Sequence, residues 1–246
     1  MLAGRGAAVI ATYLRLEDVG DQAGTPAAYG QHRARTAEDL VAEIRTSGGT
    51  AVAIEADLSD PATPGRIFEA AEDEFGPVEI LVNNASSWRQ DSFAAGAPDS
   101  VGRRAEQVTA GSIAHNLSID VIAAGLLISE FATRHVARGG RWGRIVGLTS
   151  GGPQGFPAEV SYGAAKAAQE NYTMSAAIEL APYGVTANVV HPPVTDTGWV
   201  TDEVRAFVQA STEHWHVAEP ADVAEVIGYL CSEGARLITG NVLRLR

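Results

Sequence analysis

Tyr162 and Lys166 stand four residues apart in Tyr162-Gly163-Ala164-Ala165-Lys166, and Lys166 is the only lysine, against 17 arginines. On a helix that spacing puts both side chains on one face, on adjacent turns. A phenol ionises near ~10, too high for easy proton exchange at neutral pH. A nearby ammonium favours the phenolate and lowers that value, which makes tyrosine a usable general acid or base. The bland reading is two unrelated residues on an amphipathic helix. With six tyrosines in 246 residues, however, a lone lysine falls four places after one of them in about one case in forty.

Just upstream, the run Arg144-Ile145-Val146-Gly147-Leu148-Thr149-Ser150-Gly151-Gly152 sets a hydroxyl at the C-terminal end of an expected strand. Ligands in open α/β sheets gather there. Ser150 can hydrogen-bond a substrate oxygen and stabilise its developing charge; Thr149 is the alternative hydroxyl. Alone, Ser150 would read as a turn residue, but beside Tyr162 and Lys166 it reads as chemistry.

These residues need a scaffold, and apolar β-rich runs alternate along the chain with helical stretches. That order implies βαβ units and a single α/β domain: a doubly wound, mostly parallel sheet with helices on both faces. Strands are expected over 7–13, 51–56, 78–82, 144–148, 185–190 and 242–245. Helices are expected after Thr36 as N-cap (with Leu40, Val41 and Ile44), over 61–75 with Pro61 in its first turn, and over 112–138, 159–180, 202–210 and 221–232. Long loops are expected over 16–35 and 86–111. Trp88, Phe93, Trp199, Phe207 and Trp215 are expected to shape an apolar substrate pocket.

The bulk numbers exclude several classes. A net charge of -12 argues against a general nucleic-acid binder, which needs clustered Lys and Arg. One cysteine, Cys231, excludes an internal disulfide and a multi-cysteine metal cage, and no metal is expected. Residues 1–6 lack a signal-peptide layout, and no apolar run is expected to approach the ~18 residues that span a membrane. The expectation is a cytoplasmic protein with a small-molecule substrate and no membrane partner.

The ordered motifs resemble the short-chain dehydrogenase/reductase family, with its catalytic serine followed by YxxxK in the next helix, and 3-oxoacyl-carrier-protein reductases are among the members it is similar to. Asn83-Asn84-Ala85-Ser86 resembles the family's NNAG. Asp57-Leu58 resembles the pair that contacts adenine, and residues 185–197 resemble the sixth strand and the PG-containing cofactor loop. Thr239-Gly240-Asn241-Val242 resembles the tail into the last strand. The resemblance implies hydride transfer between a nicotinamide cofactor and a carbonyl or alcohol, with Ser150, Tyr162 and Lys166 catalytic and Lys166 also holding the nicotinamide ribose. Cofactor contacts are implied at Asp57, Leu58, Asn84, Ala85, Tyr162, Lys166, Pro192, Thr195 and Thr197. Each has a plainer reading: Asp57 as a strand end, the asparagines as turn formers, the threonines as caps. The resemblance also implies a homodimer or homotetramer paired through helices 112–138 and 159–180, where Ile122, Ala123, Gly125 and Leu126 suit close packing.

NAD-preferring members carry an acidic residue after the second strand for the ribose 2′-hydroxyl. Tyr13 stands there, with Arg15 close behind. Arginine pairs with a 2′-phosphate through charge-assisted bonds, so NADP(H) is expected over NAD(H).

Four departures from the pattern matter. The phosphate-binding TGxxxGxG and the strand before it are absent, and Gly4-x-Gly6 is no substitute because it precedes a strand. The usual tetrad asparagine is replaced by Asp120, with Asn116 one turn earlier as the competing assignment. NNAG has become NNAS, and PG has become Pro192-Pro193. The segment from Ser150 to Tyr162 is one residue short. The first departure leads to the expectation that a further strand, glycine loop and most of a helix precede Met1. If they do not, the sheet should have a slit at its middle and bind little NADP(H). The rival to an enzyme is a catalytically silent member of the same fold that binds or regulates.

Overall fold

In the computed structural model, residues 1–15, 29, 36–96, 99, 102–152, 154–212 and 214–246 are described. The expected loop over 16–35 lies outside them apart from Tyr29. The elements follow in the order β1 (Ala8–Tyr13), α1 (Glu38–Thr46), β2 (Thr50–Glu55), α2 (Thr63–Phe75), β3 (Ile80–Asn83), α3 (Ala110–Ala137), β4 (Gly143–Leu148), α4 (Val160–Glu179), β5 (Val185–His191), α5 (Asp202–Ala210), α6 (Pro220–Leu230) and β6 (Val242–Arg244).

Every ladder is parallel. β3, β4, β5 and β6 form one sheet in that order, and β1 and β2 form a separate pair. Among the described residues no ladder joins β1 to β3, so the sheet is divided at its middle and β1 is half exposed along its length. β4 and β5 are central and buried almost throughout. Their side chains alternate between two faces, as the two-residue period of a strand requires. Ile145 and Ala187 turn toward Phe131 and Ile128 of α3 and Ala176 and Ala177 of α4. Val146 and Val190 turn toward Val223 and Leu230 of α6. Helices therefore cover both faces, which explains why these strands are continuous apolar runs.

Several boundaries differ from expectation for local reasons. Asp57 and Asp60 turn the chain before α2: the Asp57 carboxylate accepts from Ser59 N at 2.8 Å and Asp60 from Ala62 N at 2.9 Å. The helix thus starts at Thr63, with Pro64 rather than Pro61 in its first turn. Ala37, not Thr36, is the N-cap of α1; the Thr36 hydroxyl accepts from Glu38 N at 3.4 Å. α3 starts two residues early because Thr109 and Ser112 close a capping box. The stretch expected as loop carries a small parallel pair, Asp91–Ser92 with Glu106–Gln107.

One expectation is corrected outright. α3 is 28 residues long and by length and composition apolar enough to cross a membrane. Its Ala124, Ile128 and Phe131 pack into the protein's own core. Its second peculiarity is a π-helical turn, Ser118–Ala123; such turns concentrate at functional sites.

Candidate active site

α4 positions the chemistry. Its start is pinned to α3 by Asp91, fully buried, which accepts from Ser112 Oγ at 2.6 Å and from Ser161 N at 2.9 Å. Burial pushes this carboxyl up, but the hydrogen bonds from Ser112 and Ser161 more than offset it and hold it below its ordinary value. A carboxylate at a helix N-terminus also meets the positive end of the helix dipole. Gly163, next to Tyr162, is required by close packing: a Cβ there would sit 2.5 Å from Phe156 Cβ. Phe156 in turn lies against the Tyr162 ring, with centroids 6.0 Å apart.

One turn beyond Tyr162, the Lys166 ammonium is buried, 5.7 Å from the Tyr162 ring centroid. It donates to Leu148 O and Gln169 Oε1, each at 3.0 Å, and forms an ion pair with Asp120 Oδ1 at 2.8 Å. The π turn of α3 carries Asp120 to this pair. Its second oxygen, Oδ2, accepts from Ser86 Oγ (3.2 Å), Ser87 N (3.0 Å) and Ser87 Oγ (3.3 Å). Asn116 is spent elsewhere, clasping the backbone of Arg89 through Oδ1 and Nδ2 at 3.0 Å each.

The electrostatics of Tyr162 correct the expectation of a lowered pKa. Burial first, and then the charges of Asp120 and Glu159, push its phenol well above its ordinary value; hydrogen bonds with Ser86 and Ser150 oppose this in part. Burial is the largest cause, and Asp120 adds to it while its carboxylate pairs with the ammonium that was to stabilise the phenolate. Lys166 faces two neutral acceptors and one carboxylate, and it lines the cavity with Tyr162.

Asn84, Ser86, Ser150, Tyr162, Lys166, Pro192, Thr195 and Thr197 all line one cavity of about 1460 Å³ at the C-terminal ends of β3, β4 and β5. That exceeds the ~300–1000 Å³ of a pocket for a single small ligand, leaving room for a cofactor and a substrate side by side. Thr149 also reaches it, although it is itself buried. Arg15, Asp57, Leu58, Ala85 and Asp120 are not in its lining. The Arg15 guanidinium forms a two-pronged pair with Glu55 at 3.0–3.2 Å. Of the aromatic residues expected to shape the pocket, Trp88, Trp199 and Phe207 do so. Phe93 and Trp215 are largely exposed, and Trp215 edges a different, smaller hollow.

Sequence reasoning missed the cavity's polar wall. Glu159 accepts from Trp88 Nε1 and from Arg103 Nη2, each at 2.9 Å, and Asp99 binds the other side of Arg103 at 2.7 Å. Burial pushes the Glu159 carboxyl up, only partly countered by Trp88 and Arg103. Nothing in the local sequence signals this cluster, because its members lie 56 and 71 residues apart. The nicotinamide end of a dinucleotide fits the residues present: a hydroxyl pair, a buried ammonium and the loop after β5 converge on one concave floor. Among the described residues no glycine-rich strand-to-helix turn stands beside β1 and β3.

Comparison with known proteins agrees with this layout. A family model described as enoyl-(acyl carrier protein) reductase matches residues 21–245. An uncharacterized oxidoreductase, YjdA, of Bacillus subtilis (strain 168) is 33% identical over 207 residues, 84% of this chain and 78% of its own. The cis-4-hydroxycyclohexanecarboxylate dehydrogenase of Sinomonas cyclohexanicum is 30% identical over 247 residues, 99% of this chain and 86% of its own. Among solved structures, a blue fluorescent protein from a metagenomic library in complex with NADPH superposes with a TM-score of 0.77 at 27% identity, covering 99% of this chain and 87% of that one.

Proposed function

Because the chain belongs to the short-chain dehydrogenase/reductase family, we propose that it transfers hydride between NADP(H) and a carbonyl or alcohol compound whose oxygen lies against Tyr162 and Ser150. The observation that carries this reading is the convergence of Ser150, Tyr162 and Lys166 at the C-terminal edge of parallel strands, on the floor of the cavity, with Asp120 paired to Lys166 behind them. When bound, the nicotinamide supplies or accepts the hydride. The chain's own residues manage the oxygen and its proton. In reduction Tyr162 donates its proton to the substrate oxygen; burial and the Asp120 charge keep the phenol protonated for that step but make it a weaker acid. Ser150 holds the same oxygen and spreads its developing charge. Trp88, Phe156, Trp199 and Phe207 wall the space beyond, which favours a substrate with an apolar body.

NADP(H) is preferred over NAD(H) in this reading because Arg15 follows β1, where a 2′-phosphate would compete with Glu55 for its guanidinium; the NADPH complex of a structural relative supports the same choice. Two chains pair through α3 and α4, whose Ile113, Ile122, Tyr172 and Ile178 are exposed. Ala123, expected at that surface, is instead buried in the subunit's own core.

A second reading, a silent binding protein of the same fold, is favoured by the ion pair that sets the Asp120 carboxylate against the Lys166 ammonium. Consumption of NADPH with a panel of small ketones and aldehydes separates the two. Turnover supports the enzyme; NADPH bound without turnover on any carbonyl supports the silent protein.

A further inference from the structure

The parallel pairing of β4 with β5 ends at Leu148 and Val190. Thr149 N still donates to Val190 O at 3.0 Å, but among the described residues no backbone bond ties Ser150, Gly151 or Gly152 to β5. A side chain makes the tie instead. The ring of His191, the last residue of β5, reaches Gly151 O with its Nε2 at 2.6 Å. A carbonyl oxygen only accepts, so Nε2 carries a proton and donates it.

This bond lands on a stretch with little support of its own. Residues 150–155 hold three glycines, and the turn they make is closed by Gly155 N donating to Gly152 O at 3.1 Å. Gly151 has φ +78°, a conformation that glycine adopts without strain, and a Cβ there would lie 2.7 Å from Phe156 Cδ1. Phe156 lies against the Tyr162 ring. The Gly151 carbonyl therefore stands next to Ser150 in sequence and one packing contact away from Tyr162. The anchor on the other side is stiff. His191 O accepts from Leu245 N at 2.9 Å, which holds it to β6. Pro192 and Pro193 follow, and their rings lock φ. Where the family pattern has PG, the second proline removes a flexible glycine beside the anchor. Ser150, Gly151 and His191 all line the cavity.

We propose that His191 is a positioning residue: through the Gly151 carbonyl it fixes where Ser150 presents its hydroxyl to the substrate oxygen. This role rests on the reading of Ser150 as the group that holds that oxygen. His191 itself touches no reacting atom in this step. A hydroxyl already held in place stabilises developing charge without first having to be ordered, and a displacement of about 1 Å costs up to roughly a hundredfold in rate.

Three substitutions separate the donor, the ring and the group acted on. His191→Phe keeps a flat ring but cannot donate, His191→Gln keeps an N–H donor on a chain of similar reach, and Ser150→Ala removes the hydroxyl. At saturating NADPH and carbonyl, His191→Phe should lower kcat roughly tenfold, and His191→Gln should recover most of it. In a Ser150→Ala background, His191→Phe should cost less than about twofold more, because the group it positions is gone. A readout independent of turnover is hydrogen exchange followed by mass spectrometry. Residues 150–159 should exchange faster in His191→Phe than in the parent or His191→Gln, with β4 and β5 unchanged. A fully active His191→Phe, a loss of the same size with and without Ser150, or a His191→Gln as slow as His191→Phe, each beside an inactive Tyr162→Phe, would overturn the role of His191 and leave the proposed function standing. If the parent reduces no carbonyl, the functional reading fails, and exchange then judges the anchor alone: faster exchange in His191→Phe upholds it, and unchanged exchange overturns it as well.

Discussion

Removing Asp120 tests the site's architecture without any assumption about substrate. The Lys166 ammonium is buried and makes one ionic contact, 2.8 Å from Asp120 Oδ1, beside two neutral acceptors, Leu148 O and Gln169 Oε1. Asp120→Ala strands that charge, and breaking a buried pair from one side costs about 3–5 kcal/mol. It also deprives Ser86 Oγ and Ser87 N of their shared acceptor. For a domain of this size such a loss lowers the melting temperature by about 6–20 °C. Asp120→Asn keeps the shape and one oxygen but not the charge, and should cost about 1–3 kcal/mol. Adding Lys166→Met to Asp120→Ala removes the stranded ammonium, so the double variant should be more stable than Asp120→Ala alone. Urea unfolding of the parent, Asp120→Ala, Asp120→Asn, Lys166→Met and the double variant measures these differences. A loss below about 1 kcal/mol in Asp120→Ala, the low end for an orphaned buried polar group, or strictly additive single and double losses, would refute the buried pair as drawn.

Three further outcomes are expected. Asp91 ionises below its ordinary value in the folded state, so its stabilising contribution is present above the unfolded value of about 3.9 and is lost as pH falls through the folded one; the stability gap between the parent and Asp91→Asn, measured by urea unfolding, should close as the solution is acidified. Ile122→Glu, at an exposed position on α3, should reduce the mass seen by light scattering to that of a monomer without loss of helical signal; a parent already monomeric at micromolar concentration removes the proposed pairing. Arg15→Ala should weaken NADPH binding by roughly tenfold to a hundredfold, the worth of a charge-assisted contact, and leave NADH nearly unaffected; an equal loss for both would show that Arg15 does not read the 2′-phosphate.

The scaffold was largely legible because its signals are local. Runs such as Ile145-Val146 and Val189-Val190 alternate between two covered faces, and their strands fall within a residue or two of expectation. Tyr162 and Lys166 were legible for the same reason, since one helical turn relates them. What escaped is non-local. Asp91 acts on residues 21 and 70 positions away, and Glu159 gathers Trp88 and Arg103 from a stretch read as plain loop. Asp120 was visible as a residue, but its consequence was not. The expected lowering of the Tyr162 pKa takes Lys166 as a free cation and leaves out burial, which is the largest effect; a carboxylate 46 positions earlier in the chain adds to it. The short helix starts at Thr63 and Ala110 were missed because side-chain caps and Asx turns, rather than apolar period, decide where a helix begins.

The central claim is that Tyr162 exchanges a proton with a substrate oxygen. Its most direct measurement compares the parent with Tyr162→Phe in NADPH-dependent reduction of the best carbonyl from the panel, with NADPH affinity determined separately by fluorescence or calorimetry. The hydroxyl is the only group removed, and Phe keeps the ring packed against Phe156. The account predicts turnover lower by at least about a hundredfold with cofactor affinity nearly intact. A Tyr162→Phe protein that reduces the same carbonyl at the parent's rate would contradict it.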